Sequence, residues 1–204
     1  MRYAEGRWRL WYLSAVGEVG RGEQPDYELR YVESIDGLTG WTTPRTVFSP
    51  ADGFFDNAVD QVDGQWEMVL ARGPNLHGTT PFPAQGLWWA RSATPSGERR
   101  AWSHELVRLL DTDIEPEPWF ARGVCEPSFH CGRTDADRDT LYLFVTGTRA
   151  ARPWWHIALG RLTHLRPPPF PAPYYLATGR ITIPGARQLL GTSEAAPNPT
   201  DGSR

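Results

Sequence analysis

Lysine is absent: all 21 basic residues of the 204-residue chain are arginine. Schiff-base chemistry and a phosphate-binding P-loop both need an ε-amine, so neither is available. Cysteine is nearly absent, with only Cys125 and Cys131, six residues apart. In an extended stretch, at roughly 3.3 Å per residue, that spacing separates them by about 20 Å. A disulfide needs Cα atoms within about 7 Å. The expectation is two buried free thiols, which fits a reducing compartment. The 5 histidines are scattered, with no H-x-H or H-x-x-x-H spacing, so no zinc site is expected. The glycines near residue 20 lack a dinucleotide fingerprint, and no cofactor is expected. There is no run of about 18 apolar residues to cross a membrane as a helix. The opening "MRYAEGRWRLWYL" has no apolar signal core, so a cytoplasmic location is expected. Net charge is only -3, which gives no electrostatic case for nucleic acid or an anionic membrane.

What the chain has is aromatic residues and turns. It carries 10 Trp, 20 Gly and 19 Pro, with 40% hydrophobic and 22% charged residues, a composition that supports a folded core. Flat amphipathic rings suit sheet packing and also suit stacking on sugar faces, with core packing the default for most of them.

Three segments share one pattern. The first is "RWRLWYLSA", a loop, "YELRYVES", "IDGLTG" and Trp41. The second is "QWEMVLARG", a loop, "GLWWARS" and then Trp102. The third is "TLYLFVTGT", a loop and "WWHIALGRL". They start at Trp8, Trp66 and Leu141, 58 and 75 residues apart. Two are preceded by a further strand, "FFDNAVDQV" before the turn Asp63-Gly64, and "GVCEPSFHC" before "GRTDADRD". A two-residue Asp-Gly turn between apolar runs signals a hairpin. Only "MRYAE", with the turn Glu5-Gly6, stands ahead of the first unit.

Short antiparallel strands repeating in this way predict an all-β fold built as propeller blades. The blades run over about 1–50, 51–112 and 113–165. A β-sandwich is the alternative architecture. "SHELVRLLDT" (103–112) fits either one or two helical turns or the outer strand of a blade. "RPPPFPAP" cannot continue a central strand, because proline lacks an amide proton. Residues 166–204 therefore read as a Pro-rich, partly disordered segment, in which "YYLATGRITI" (174–183) has the pattern of one more strand, followed from Pro184 by a tail expected to be disordered.

"WRLWYLSA…YELRYVESIDGLTGW" and "EPSF…TLYLFVTG…HIALGRL" resemble the blades of the five-bladed β-propeller glycosidases. That superfamily includes glycoside hydrolase families 43, 32, 62 and 68 and the related mannoside phosphorylases. The resemblance covers residues 7–165. It implies a partial propeller of about three blades, since five such blades take about 280 to 320 residues. The missing blades are expected from an upstream segment, from a second copy of the chain that completes the propeller, or not at all. Light scattering separates a defined oligomer from a monomer or an aggregate.

The resemblance also implies chemistry. Glycoside hydrolysis uses two carboxyl groups, one protonating the leaving oxygen and one acting as base or nucleophile. A further acidic residue tunes the acid, because like charges raise a neighbouring pKa. By the resemblance, Glu126 in "CEPSF" is the general acid and Asp56 in "FFDNAV" the modulating aspartate. Asp60, further along the same strand face, is the alternative to Asp56. The catalytic base would come from the first blade's inner strand, where Glu5 is a poor substitute. In a regular strand Glu126, Ser128 and His130 share one face, and Cys125, Pro127, Phe129 and Cys131 the other. Arg72 and Arg30 are candidates for contacting sugar hydroxyls, with a salt bridge the plainer reading. Trp88 and Trp89, like Trp154 and Trp155, point to opposite faces, so at most one of each pair lines a ligand site. Trp89, His130, Asp60 and Arg72 complete the expected substrate contacts, and His156 is a further candidate. The expected ligand is an oligosaccharide or glycoside. The rival function is a non-catalytic carbohydrate-binding or protein-interaction module.

Overall fold

The computed structural model describes residues 1–17, 26–72, 86–111, 123–148 and 176–185. Within them the fold is all-β, with three antiparallel sheets. The first sheet runs in order β1 (Arg2–Ala4), β2 (Arg7–Val16), β3 (Asp26–Ser34) and β4 (Arg45–Phe48). The second runs β5 (Phe54–Val62), β6 (Gln65–Arg72), β7 (Gly86–Ser92) and β8 (Val107–Asp111). In the third, β10 (Leu141–Thr148) lies between β9 (Gly123–Cys131) and β11 (Leu176–Ile183). Among the described residues no helix is long and apolar enough to cross a membrane.

The turn chemistry sets the hairpins. Glu5-Gly6 and Asp63-Gly64 both have positive φ at each residue, 52° and 73°, then 50° and 79°. That is the type I′ geometry, whose twist matches the flanking strands. The first two units repeat in register. Trp8 opposes Ser34 at the end of β2–β3, and Trp66 opposes Ser92 at the end of β6–β7. The "ESIDG" signature has a physical cause. Asp36 Oδ1 accepts the backbone N–H groups of Leu38 and Thr39, each at 2.8 Å, and the Ser34 hydroxyl at 2.9 Å. Gly37, at φ +74°, lies so close to Trp8 that a Cβ would sit 2.7 Å from its Cγ.

The second sheet is buried on both faces. Along β6, Trp66, Met68 and Leu70 meet Trp11, Leu29, Tyr31, Val47 and Phe48 of the first sheet. Val69 and Ala71 point the other way, joining Leu87 and Trp89 against Val124, Phe129, Leu141, Leu143 and Val145 of the third. Trp88 and Trp89 thus split between the two interfaces, as the alternation of strand side chains requires. The loop after β7 closes the first interface: the Ser96 carbonyl accepts both indole N–H groups, Trp102 at 3.0 Å and Trp11 at 3.3 Å. Asp56, Ala58, Asp60 and Val62 alternate onto the third-sheet side of β5. Val59 faces the first sheet.

Several expectations are resolved. Residues 107–111 form the outer strand β8, not a helix. The strand paired with β10 on the side away from β9 is β11, from the Pro-rich segment beyond residue 165. The expected strand "WWHIALGRL", with Trp154, Trp155 and His156, lies outside the described residues. Cys131 is buried, and its thiol is not in a disulfide.

Trp89 is the most consequential core side chain on the third-sheet side, with no exposure at all. Trp89→Ala is expected to destabilise the fold by about 3–5 kcal/mol. A urea titration followed by circular dichroism reads this as a lowered midpoint with an unchanged slope.

Candidate functional site

The first strands of the second and third sheets, β5 and β9, lie side by side. Both are irregular where their acidic residues sit. On β5, Phe54 opposes Arg72 and Asp56 opposes Ala71, so Phe55 is an extra residue. On β9, Cys125 opposes Thr146 and Ser128 opposes Phe144, so Glu126 and Pro127 together face Val145. Glu126 has φ 53°, a left-handed conformation that a residue other than glycine adopts at a cost of about 1–3 kcal/mol. Bulges of this kind re-aim backbone and side-chain groups.

Here the bulge turns the Glu126 backbone N–H toward β5, where it donates to Asp56 Oδ2 at 2.6 Å. The other Asp56 oxygen accepts its neighbour's N–H, Asn57, at 2.8 Å. The Glu126 carboxylate is exposed and accepts the Thr146 hydroxyl at 2.7 Å. Burial raises the Asp56 pKa above the ordinary aspartate value. The Glu126 charge adds to the rise, while the two backbone N–H groups oppose it. The two acidic residues expected from the sequence are therefore joined by one hydrogen bond, from the backbone of Glu126 to the carboxylate of Asp56.

The bulge also breaks the simple alternation expected for β9. Val124 and Phe129, five positions apart, both enter the same core, which a regular strand forbids. Past the bulge the expected faces hold, with Pro127, Phe129 and Cys131 buried and Ser128 and His130 exposed.

The other expected site residues disperse. Trp89 is fully buried between the second and third sheets, out of reach of a ligand, which corrects its placement as a substrate contact. Arg72 stacks over Trp88 at 4.5 Å and Phe54 at 5.3 Å on the opposite face of the second sheet from Asp56. Burial lowers its pKa, and its Nε donates to the Asp52 carbonyl at 3.2 Å. Arg30 is tied to Glu28 in its own strand. Glu5 occupies the first hairpin turn and pairs with Arg9 at 2.8 Å. Asp60, four residues beyond Asp56, pairs with Arg2 at 3.4 Å. Asp60 and His130 line a cleft of about 550 Å³ with Val62, Arg133 and Arg138, at the far ends of β5 and β9. His130 stacks on Tyr142, centroids 4.9 Å apart.

Sequence reasoning missed Thr146. Its signal is the alternation along "LYLFVT": with Leu141, Leu143 and Val145 inward, Thr146 falls on the face that Glu126 reaches. Glu67, fully buried opposite Asp60, was likewise unforeseen. It accepts from Arg91 Nη2 at 3.4 Å and from the Cys131 thiol at 3.9 Å.

No protein-family model and no curated protein matches the sequence. Two solved structures are partly similar. One is described as "Glycoside hydrolase", with a TM-score of 0.49, and the other as a complex of BT0996 and RGII, with 0.48. Each is 16% identical and covers 72% of this chain. The chain spans about half their length, 47% in both cases.

A carboxyl with a raised folded pKa stabilises the fold while protonated. The contribution of Asp56 is full below the ordinary value of 3.8 and is lost as pH rises through its raised value. We expect the ¹³Cγ shift of Asp56 to titrate above 3.8. Glu126→Gln should lower that midpoint without restoring the ordinary value, because burial is the larger cause. A wild-type midpoint at or below the ordinary value would contradict this account.

Proposed function

We propose that the three sheets are blades of a glycosidase-type β-propeller that binds oligosaccharides and carries the acid half of a glycoside-cleaving site. The observation that carries this reading is the 2.6 Å hydrogen bond from the strained Glu126 N–H to the Asp56 carboxylate. Backbone strain at a bulge that presents an exposed carboxylate is better suited to a site than to a fold, because glycine would hold the same turn without the penalty. In this reading Glu126 reaches the glycosidic oxygen and donates the proton. Asp56 lies behind it and locks the bulge. The resemblance of the "CEPSF" and "VESIDGLTGW" segments to the propeller glycosidases supports the same roles. Cleavage requires a base carboxylate at roughly 5 to 9.5 Å from the acid, according to stereochemistry. Glu5 is held in the first hairpin turn by Arg9, so the base is to be sought in a second copy or in a further segment.

Saturation-transfer NMR against a mixture of neutral oligosaccharides from partly hydrolysed plant cell-wall polysaccharide tests the binding. Transfer to sugar protons is expected from the wild type and from Glu126→Gln alike. If cleavage of the same mixture is detected, Glu126→Gln should slow it by roughly 10²–10⁴-fold, the usual contribution of a general acid. The absence of transfer from the wild type overturns the reading. Glu126→Gly should remove the left-handed strain and raise stability by about 1 kcal/mol while abolishing cleavage, separating the carboxylate's chemistry from the fold.

A further inference from the structure

We propose that Thr146 is the positioning residue of the proton donor: its hydroxyl holds one oxygen of Glu126, so that the acidic proton is carried on the other. The inference rests on the reading of Glu126 as the acid and deepens it by naming what aims the carboxyl group. The Thr146 hydroxyl donates to Glu126 Oε2 at 2.7 Å. Among the described residues, no other side chain hydrogen-bonds this carboxylate. The two ends of Glu126 are thus held by two different strands, neither of them its own. Its backbone N–H is fixed by Asp56 on β5, and its carboxylate by Thr146 on β10.

Strand β10 is a firm base for that contact. It lies between β9 and β11, and Thr146 is in register with Cys125 on one side and Thr178 on the other. Its neighbour Val145 is buried in the core. A β-branched side chain has a restricted χ1, so the direction of the hydroxyl follows from the backbone. Thr146 is only half-buried, so the fold does not need a carboxylate to satisfy it; water serves as well. Ordering a glutamate side chain costs conformational entropy, and here the ordering precedes any ligand. The chemistry follows from what a carboxyl group donates and accepts. An ionised carboxylate only accepts, so the hydroxyl is the donor. With Oε2 occupied as an acceptor, the protonated form carries its hydrogen on Oε1. As a glycosidic oxygen takes that proton, the Oε1–H bond breaks and its electron pair stays on Glu126. Thr146 remains bonded to Oε2 throughout, so no group has to reorient during the transfer.

The test reads the Glu126 side-chain rotamer in ¹³C,¹⁵N-labelled wild type, Thr146→Val, Thr146→Ala and Thr146→Ser, from NMR couplings across χ1 and χ2. Wild type and Thr146→Ser should show one dominant rotamer. In Thr146→Val and Thr146→Ala its population should fall toward roughly one-third, as three staggered wells become accessible. Valine keeps the shape of threonine, so an unchanged urea midpoint is expected; if that variant proves unstable, Ala against Ser decides. Averaged couplings in the wild type, or a dominant rotamer that survives in both Val and Ala, overturn the inference and leave the proposed function standing. If the oligosaccharide mixture is cleaved, Thr146→Val should lower kcat by about tenfold at unchanged KM, and Thr146→Ser should restore it. An unchanged kcat in Thr146→Val overturns the inference. No saturation transfer from the wild type overturns the proposed function, and with it the role of Thr146, whatever the couplings.

Discussion

Strand β6 is buried on both faces, and the arrangement of the sheets follows from that. From Trp66 to Ala71 every residue is buried. A strand buried on one side needs one neighbour; this one needs two. The first sheet covers Trp66, Met68 and Leu70, and the third covers Val69 and Ala71. At about 25 cal/mol per Å² of apolar surface, neither interface is dispensable. Because the second sheet is held from both sides, its first strand, β5, is fixed beside β9. The candidate site is a by-product of that packing: Asp56 and Glu126 are 70 residues apart in sequence and meet because β6 needs cover on its second face.

The bulges convert adjacency into a site. At the bulge the Glu126 N–H meets Asp56 while the carboxylate stays exposed and accepts the Thr146 hydroxyl. The left-handed conformation of Glu126 is unfavourable, and the charge-assisted bond to Asp56 offsets part of it, since such bonds contribute about 1.5–3 kcal/mol. Local strain and local hydrogen bonding are thus coupled in one pair of residues. A change at either end is felt at the other, although the raised pKa of Asp56 comes first from burial, against which the Glu126 N–H acts.

The tryptophans divide between jobs in a way that composition alone does not reveal. Trp11, Trp66, Trp88, Trp89 and Trp102 are all buried. The Ser96 carbonyl accepts the N–H groups of Trp11 and Trp102. Phe144, by contrast, is partly exposed, and His130 stacks on both it and Tyr142.

The sequence by itself determined the local structure. The Glu5-Gly6 and Asp63-Gly64 turns, the alternation along β6, the Asp36-Gly37 loop and the antiparallel hairpins all follow from neighbours within a few residues, where φ preferences and period-2 patterning act directly. It also named Asp56 and Glu126 as residues to watch, through the resemblance of their strands to propeller-glycosidase blades. Tertiary structure decided the rest. Trp89 reads as a ligand contact in "LWWAR" but is enclosed once the third sheet lies on the second. Nothing in "RPPPFPAPYYLATGRITI" specifies that its last eight residues pair with β10, because strand pairing depends on what edge is left open elsewhere. The bulge at Glu126 is invisible in "CEPSF", since an extra residue is defined only against a partner strand. Whether the Asp56 carboxylate meets the Glu126 backbone N–H is set by sheet-to-sheet packing, a long-range property that no local pattern encodes.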